Sequence, residues 1–242
     1  MLPAVRPHII IKVMNIRNLH SWHISLSEAR NLQLELARQV AQHAEALEPR
    51  FIGGVDISAP DPAGVARAAA VILSYPKLQI VEIKTAEDRL SLPYIPGLLS
   101  FREAPLILAA CRQLSLNLDL LIVDGHGVAH PRRFGVASHL GLLLDTPTIG
   151  CAKSRLCGTH SSVSSNAGDY ADLIDNGEII GVALRTKTAA TPIYVSIGHM
   201  IDLSEAIKWI MNCCRGYRLP EPSRLAHLAA GGKSMTVAAN HT

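Results

Sequence analysis

The chain has 242 residues, room for one large domain with a sizeable core at roughly 100 to 200 residues per domain. With 48% hydrophobic and 18% charged residues it is neither intrinsically disordered nor a long charged coiled coil, and a formal charge of +3 permits nucleic-acid binding without requiring it. The longest unbroken apolar run, residues 104–111, is far short of the roughly twenty residues a membrane span needs, and no secretory signal is recognisable, so a cytoplasmic location is expected.

Residues 1–14 are basic and β-branched and match no later pattern; they are set apart as an N-terminal extension, and Met14 could equally serve as initiator. Between 27 and 47, Leu32, Leu34, Leu36, Val40 and Ala44 recur at mostly helical spacing, with Ser25 or Ser27 available as a cap. This predicts an amphipathic opening helix. Three Val- and Ile-rich segments follow at 51–58, 65–74 and 79–85, and their short connections predict an antiparallel meander.

A helix over 104–116, a buried strand over 118–123, a helix over 136–144 and a buried strand over 148–152 then alternate as parallel crossovers do. After a polar loop, 161–170, β-rich segments at 178–186 and 192–197 lead to a helix over 202–214. The small, polar tail 231–242 is predicted to be disordered, leaving 15–230 as the folded domain. The order predicts an α/β fold, an RNase H-like mixed β-sheet flanked by helices in a single domain. Cys111, Cys151, Cys157, Cys213 and Cys214 form an odd set without paired Cys-x-x-Cys units, which predicts reduced thiols rather than disulfides or structural zinc.

Three carboxylates stand out. Asp56 sits among apolar neighbours in the first strand, directly after Gly53-Gly54-Val55; alone it reads as well as a solvent-facing strand carboxylate. Asp124 ends the apolar run Leu120-Leu121-Ile122-Val123, at the carboxyl end of a buried strand where open α/β sheets build their sites, although an Asp can also simply open a Gly-rich turn. Glu103 lies at a helix entry, spaced from Ser100 as in a capping box, but Pro105 would then fall past the first turn and cost a hydrogen bond. Together the three suit an oxygen-preferring cation such as Mg²⁺, and hence phosphodiester hydrolysis.

His126 and His130 are four apart, yet Gly125, Gly127 and Pro131 argue against the helix that zinc ligation at that spacing needs. Arg132, Arg133, Lys153 and Arg155 are cations suited to backbone phosphates, each equally readable as a solvated surface charge. Pro93-Tyr94-Ile95-Pro96-Gly97 has two rigid prolines bracketing an aromatic and an aliphatic side chain before a permissive glycine. Such a stiff wedge suits insertion into a duplex; the structural alternative is a Pro-rich turn with Tyr94 packed on the core.

The run Pro93-Tyr94-Ile95-Pro96-Gly97-Leu98-Leu99-Ser100-Phe101-Arg102-Glu103, the run Val123-Asp124-Gly125-His126-Gly127-Val128-Ala129-His130-Pro131-Arg132-Arg133 and the segment from Pro147 to Leu156 resemble the endonuclease V family. The likeness runs from Leu19 to His227. It implies an RNase H-like fold and a Mg²⁺-dependent, Mn²⁺-tolerant enzyme for double- or single-stranded DNA containing deaminated bases, chiefly deoxyinosine. Cleavage would fall at the second phosphodiester on the 3′ side, leaving 3′-hydroxyl and 5′-phosphate ends. By the matching motifs Asp56 and Asp124 would be metal ligands, Glu103 would complete the acidic site, and His227 would act near the scissile phosphate.

Tyr94, with Pro93, Ile95 and Pro96, would form the wedge. Gly97, Leu99, Gly125, His130, Gly135, Gly150 and Ala152 would line the pocket for the extruded base, and Lys153 would contact phosphate. Cys151 stands where the family more often has Val, and residues 1–14 have no counterpart. The resemblance leaves inosine-containing RNA open as a partner; no membrane association is expected, and the chain is expected to act as a monomer. The competing readings are a non-catalytic binder of inosine-containing nucleic acid, which would show no chelator-sensitive cleavage, and a hydrolase of small phosphate compounds, whose binding to DNA would lack a steep salt dependence.

Overall fold

The computed structural model of the chain describes residues 14–43 and 47–238. The predicted extension at 1–13, the predicted helical turn at 44–46 and the tail at 239–242 lie outside the described residues. Among the described residues five helices and eight strands follow one another as α1 (Leu26–Ala37), β1 (Phe51–Ile57), β2 (Val65–Ser74), β3 (Gln79–Arg89), α2 (Leu99–Cys111), β4 (Leu120–Val123), α3 (Val136–Leu144), β5 (Thr148–Ala152), β6 (Tyr170–Asp175), β7 (Glu178–Leu184), β8 (Ile193–His199), α4 (Leu203–Asn212) and α5 (Glu221–Ala230).

All eight strands form one sheet in the order β3-β2-β1-β4-β5-β8-β7-β6. The β1–β2–β3 meander is antiparallel, β1, β4 and β5 run parallel, and β8, β7 and β6 return antiparallel. This is the mixed sheet flanked by helices, in one domain, that the element order predicts. Strand residues divide by parity. On β4, Leu120 and Ile122 join the core cluster containing Trp209, Leu225 and Ala226 of α4 and α5, while Leu121 and Val123 join the cluster containing Ile107 and Leu140 of α2 and α3. Burial on both faces is why this strand reads as an unbroken apolar run.

Several boundaries differ from expectation. The opening helix ends at Ala37 rather than 47, because Ala41 donates to His199 Nδ1 (3.2 Å) and accepts from the Met200 amide (2.7 Å), which pulls the chain onto the end of β8. Its buried face is Ala29, Gln33 and Leu36, and Leu34 is exposed. The second helix spans 99–111 rather than 104–116: it starts after Gly97, whose φ of +78° reverses the chain, and it accommodates Pro105 internally. It stops because the Glu82 carboxylate takes the Ser115 and Leu116 amides.

Strand β6 was not expected. It shows only Ala171 and Leu173 to the core and joins β7 through Asn176-Gly177, both at positive φ, the geometry of a tight hairpin turn. Helix α5 was also absent from the element reading, which assigned no element between residue 214 and the tail. Both prolines sit where a helix tolerates them, Pro220 at the N-cap and Pro222 in the first turn. At the described ends, Met14 is buried beside α2 and α3, and the Ala238 amide donates to Ile80.

Candidate active site

Strand register brings two carboxylates side by side. Val55 of β1 pairs with Val123 of β4 in parallel, so the next residues, Asp56 and Asp124, occupy adjacent positions at the carboxyl ends of neighbouring strands, about 4.8 Å apart. The Asp124 amide continues the ladder to the Val55 carbonyl. Asp56 shares parity with Ile52 and Gly54, and so faces α5.

Gly54 sets how closely α5 approaches. A Cβ built there would lie 2.1 Å from the Pro222 carbonyl oxygen, so only a missing side chain allows this contact. Two residues along the strand and five along the helix are both advances of about 7 Å, which brings His227 over Asp56. His227 Nδ1 lies 2.7 Å from Asp56 Oδ2. Nδ1 is thus the donor to a carboxylate, and the other ring nitrogen faces outward from a side chain that is 57% exposed.

Lys153, just beyond β5, reaches back to Asp124 with its Nζ 2.5 Å from Oδ2. Burial first, and then the Asp56 charge, push the Asp124 carboxyl upward, opposed by Lys153. Glu103 comes from the first turns of α2, on the opposite face of the sheet from α5. Burial raises its carboxyl to about 7; Arg102, 3.6 Å away, opposes the shift, and the charges of Asp56 and Asp124 add to it. Folding therefore gathers the three expected carboxylates into one mutually repelling group. One atom each of Asp56, Asp124 and His227 lie within 4.8 Å of one another, close enough to share an ion.

A cavity of about 300 Å³ opens from Asp124 and extends to Tyr94, at the small end of the range for ligand sites. Of the residues expected in the base pocket, Gly97, Leu99, Gly125, His130, Gly135 and Ala152 line it, and so does Lys153, expected as a phosphate contact. Gly150 lies beneath: a Cβ there would strike the Gly127 nitrogen at 2.4 Å, so it supports the Gly125–Gly127 turn instead of forming the wall. Tyr94 stands 64% exposed at the rim, Pro93 and Pro96 are exposed beside it, and Ile95 is half-buried against Leu98 and Phe101.

His130 is neutral in this setting. Its Nε2 donates to the Gly97 carbonyl (3.0 Å) and its Nδ1 accepts from the Arg132 amide (3.1 Å), while burial drives its pKa down to about 4. Gln33, Ser100, Val136, Ser154 and Leu156 also line the cavity and were not singled out as site residues in the sequence; His126, considered there only for zinc, and Arg155, considered for backbone phosphate, line it too. Ser100 and His126 lie inside the quoted motifs, but Gln33, on α1, carries no local signal.

A family model described as Endonuclease V matches residues 34–228. The chain belongs to the endonuclease V family. It is 48% identical over 217 residues to Endonuclease V of Dehalococcoides mccartyi, covering 90% of this chain and 97% of that one. The crystal structure of Endonuclease V from Streptomyces avermitilis superposes with a TM-score of 0.83 at 38% identity, over 91% of this chain and 97% of that one. Endonuclease V from Ciona intestinalis, in complex with a 24mer DNA containing an inosine followed by a ribo-adenosine, gives a TM-score of 0.75 at 28% identity, over 86% and 96% of the two chains.

As a member of this family the chain is a nuclease of DNA-repair type, and its acidic group has the geometry to hold a metal ion. The donor chemistry fits a hard divalent cation: two carboxylate oxygens and an imidazole converge, and the carboxylates' mutual repulsion is what such an ion relieves. Among the described residues no helix is long and apolar enough to cross a membrane.

Proposed function

We propose that the protein nicks DNA containing a deaminated base, chiefly deoxyinosine, hydrolysing the second phosphodiester 3′ to the lesion to leave 3′-hydroxyl and 5′-phosphate ends. The observation that carries this reading is the continuity of the small cavity with the acidic group: Asp124 belongs to both, and Tyr94 closes the far rim. A base extruded into the cavity would leave its strand running past the carboxylates. The inosine-containing DNA bound by the Ciona relative supports the choice of lesion.

Tyr94 would fill the gap left in the base stack, its Pro93–Pro96 frame limiting the entropy lost on insertion. The base would then be read largely by backbone groups around Gly97, Gly125 and Gly135, where no side chain obstructs a base edge. Asp56 and Asp124 would hold Mg²⁺, or Mn²⁺ in its place, with Glu103 holding water at the ion's edge. That ion, when bound, supplies Lewis-acid activation and neutralises charge developing on phosphate. His227, fixed through Nδ1 by Asp56, would present its outer nitrogen to the scissile phosphate. Lys153 would exchange part of its contact with Asp124 for a phosphate oxygen.

The test is incubation with matched duplexes differing only at one inosine, with and without EDTA, and mapping of the cut. A Mg²⁺-dependent nick at the second 3′ phosphodiester is expected. Binding without chelator-sensitive cleavage, or a break at the inosine glycosidic bond, would overturn the assignment. A parallel strand carrying a ribonucleotide inosine decides whether RNA is also a substrate.

A further inference from the structure

The sequence offers no role for Gln33, and the structure buries it to 1% exposure on the apolar face of α1, between Ala29 and Leu36. A primary amide in such a place costs free energy unless its groups are paired. Here they are paired to two loops at once, from a helix that belongs to neither. Its Nε2 donates to the Gly97 carbonyl at 3.0 Å and to the Phe134 carbonyl at 2.9 Å, and its Oε1 accepts from Arg132 Nε at 2.6 Å. Gly97 ends the wedge loop and forms one wall of the cavity; Phe134 immediately precedes Gly135, which forms another.

The Gly97 carbonyl is held by two further donors, His130 Nε2 at 3.0 Å and Arg132 Nη2 at 2.6 Å. Three donors on one carbonyl oxygen fix the peptide that follows Gly97; His130 and Arg132 come from the facing loop, whereas Gln33 comes from α1 and donates to a carbonyl of each loop. We infer that Gln33 is a positioning residue: it sets the width of the cavity, and through it the choice of base. It acts through Gly97 and Phe134 and need not touch the nucleic acid. The inference rests on the cavity being the seat of the extruded base, as proposed above.

Gln33→Met keeps the volume and removes all three hydrogen bonds; Gln33→Glu keeps the acceptor for Arg132 and removes both donations. Two readouts separate the outcomes. In the free protein, hydrogen exchange should quicken at residues 97–99 and 134–136 in both variants while the β1 and β4 amides stay protected. In single-turnover nicking, kcat/KM for an inosine duplex should fall about tenfold or more, as misplacements of around an ångström produce. The ratio of inosine to the larger xanthosine should shift by at least about threefold, because a slackened pocket discriminates size less well.

Equal losses on both lesions, unchanged exchange at the two walls, or failure of both variants to fold would assign Gln33 to the core and overturn the proposal. If the unsubstituted protein nicks neither lesion, the functional reading fails instead, and hydrogen exchange alone still decides whether Gln33 ties the walls.

Discussion

Replacing Gly54 with Ala tests how the fold assembles its chemistry. In a strand this substitution ordinarily stabilises by about 0.4–1 kcal/mol, because the unfolded chain loses freedom. Here the sign should reverse. The new Cβ would lie 2.1 Å from the Pro222 carbonyl oxygen and 2.9 Å from its Cα, against 3.4 Å for ordinary contact. The obstacle is backbone, which cannot rotate aside, so the start of α5 must retreat by about an ångström. Overpacking of this kind costs roughly 1–3 kcal/mol, which outweighs the entropic gain.

His227 rides on the same helix, so its 2.7 Å contact with Asp56 should lengthen, and a displacement of that size costs about 10²-fold in rate. Gly53→Ala is the control: its Cβ would meet the Leu118 methyl carbons at 2.7 Å and 3.0 Å, on the opposite face, where a flexible side chain can yield. Thermal melting and single-turnover nicking of an inosine duplex read both variants. A Gly54→Ala protein with normal melting and normal rate, or a Gly53→Ala protein equally damaged, would refute the reasoning.

Three further outcomes follow from the site. In EDTA the Glu103 carboxyl, raised from 4.5 to about 7, makes the folded chain bind its proton more tightly than the unfolded chain does. That contribution is full below pH 4.5 and is lost as pH rises through about 7, so Glu103→Gln should gain up to about 3 kcal/mol on the unsubstituted protein between pH 4.5 and 8. Melting curves without a pH-dependent difference would contradict this, and added Mg²⁺ should restore the unsubstituted protein. Asp124→Asn should lower nicking by at least about 10³-fold while melting at the same temperature or higher, since it removes a repelling charge; normal cutting would disprove the assignment. Tyr94→Ala, at an exposed position, should change stability by less than about 0.5 kcal/mol, yet impair nicking of duplex more than of single strands; equal impairment of both would argue against a wedge.

What could be read from the sequence was what local chemistry encodes. The apolar runs that become β4 and β5 end at Asp124 and Lys153, and the Pro-bracketed Tyr94 announces a rigid loop without any tertiary information. Helix α2 was misplaced because the element reading began it at Ala104, beside Pro105, whereas the turn at Gly97 and the burial of Phe101 and Ala104 support a start five residues earlier. Strand β6 shows the core only two side chains, although Asn176-Gly177 carried the hairpin signal. Bottom-up reading left His227 in the tail, and only its match to the family motif raised it. Gln33 could not have been found at all: its partners lie 64 and 101 residues away, and nothing in its neighbourhood hints at them.

The sheet also works as a partition. The wedge, the cavity and Glu103 belong to the side carrying α1, α2 and α3, whereas His227 arrives with α5 from the other, and the two groups meet only where β1 and β4 end. On the function proposed above, loops 93–99 and 125–135 could be reshaped to admit a different damaged base while the histidine and its helix stay put, and α5 could be altered to tune hydrolysis without redrawing what the cavity accepts. An engineer, or natural drift, thus has two separate handles on one enzyme.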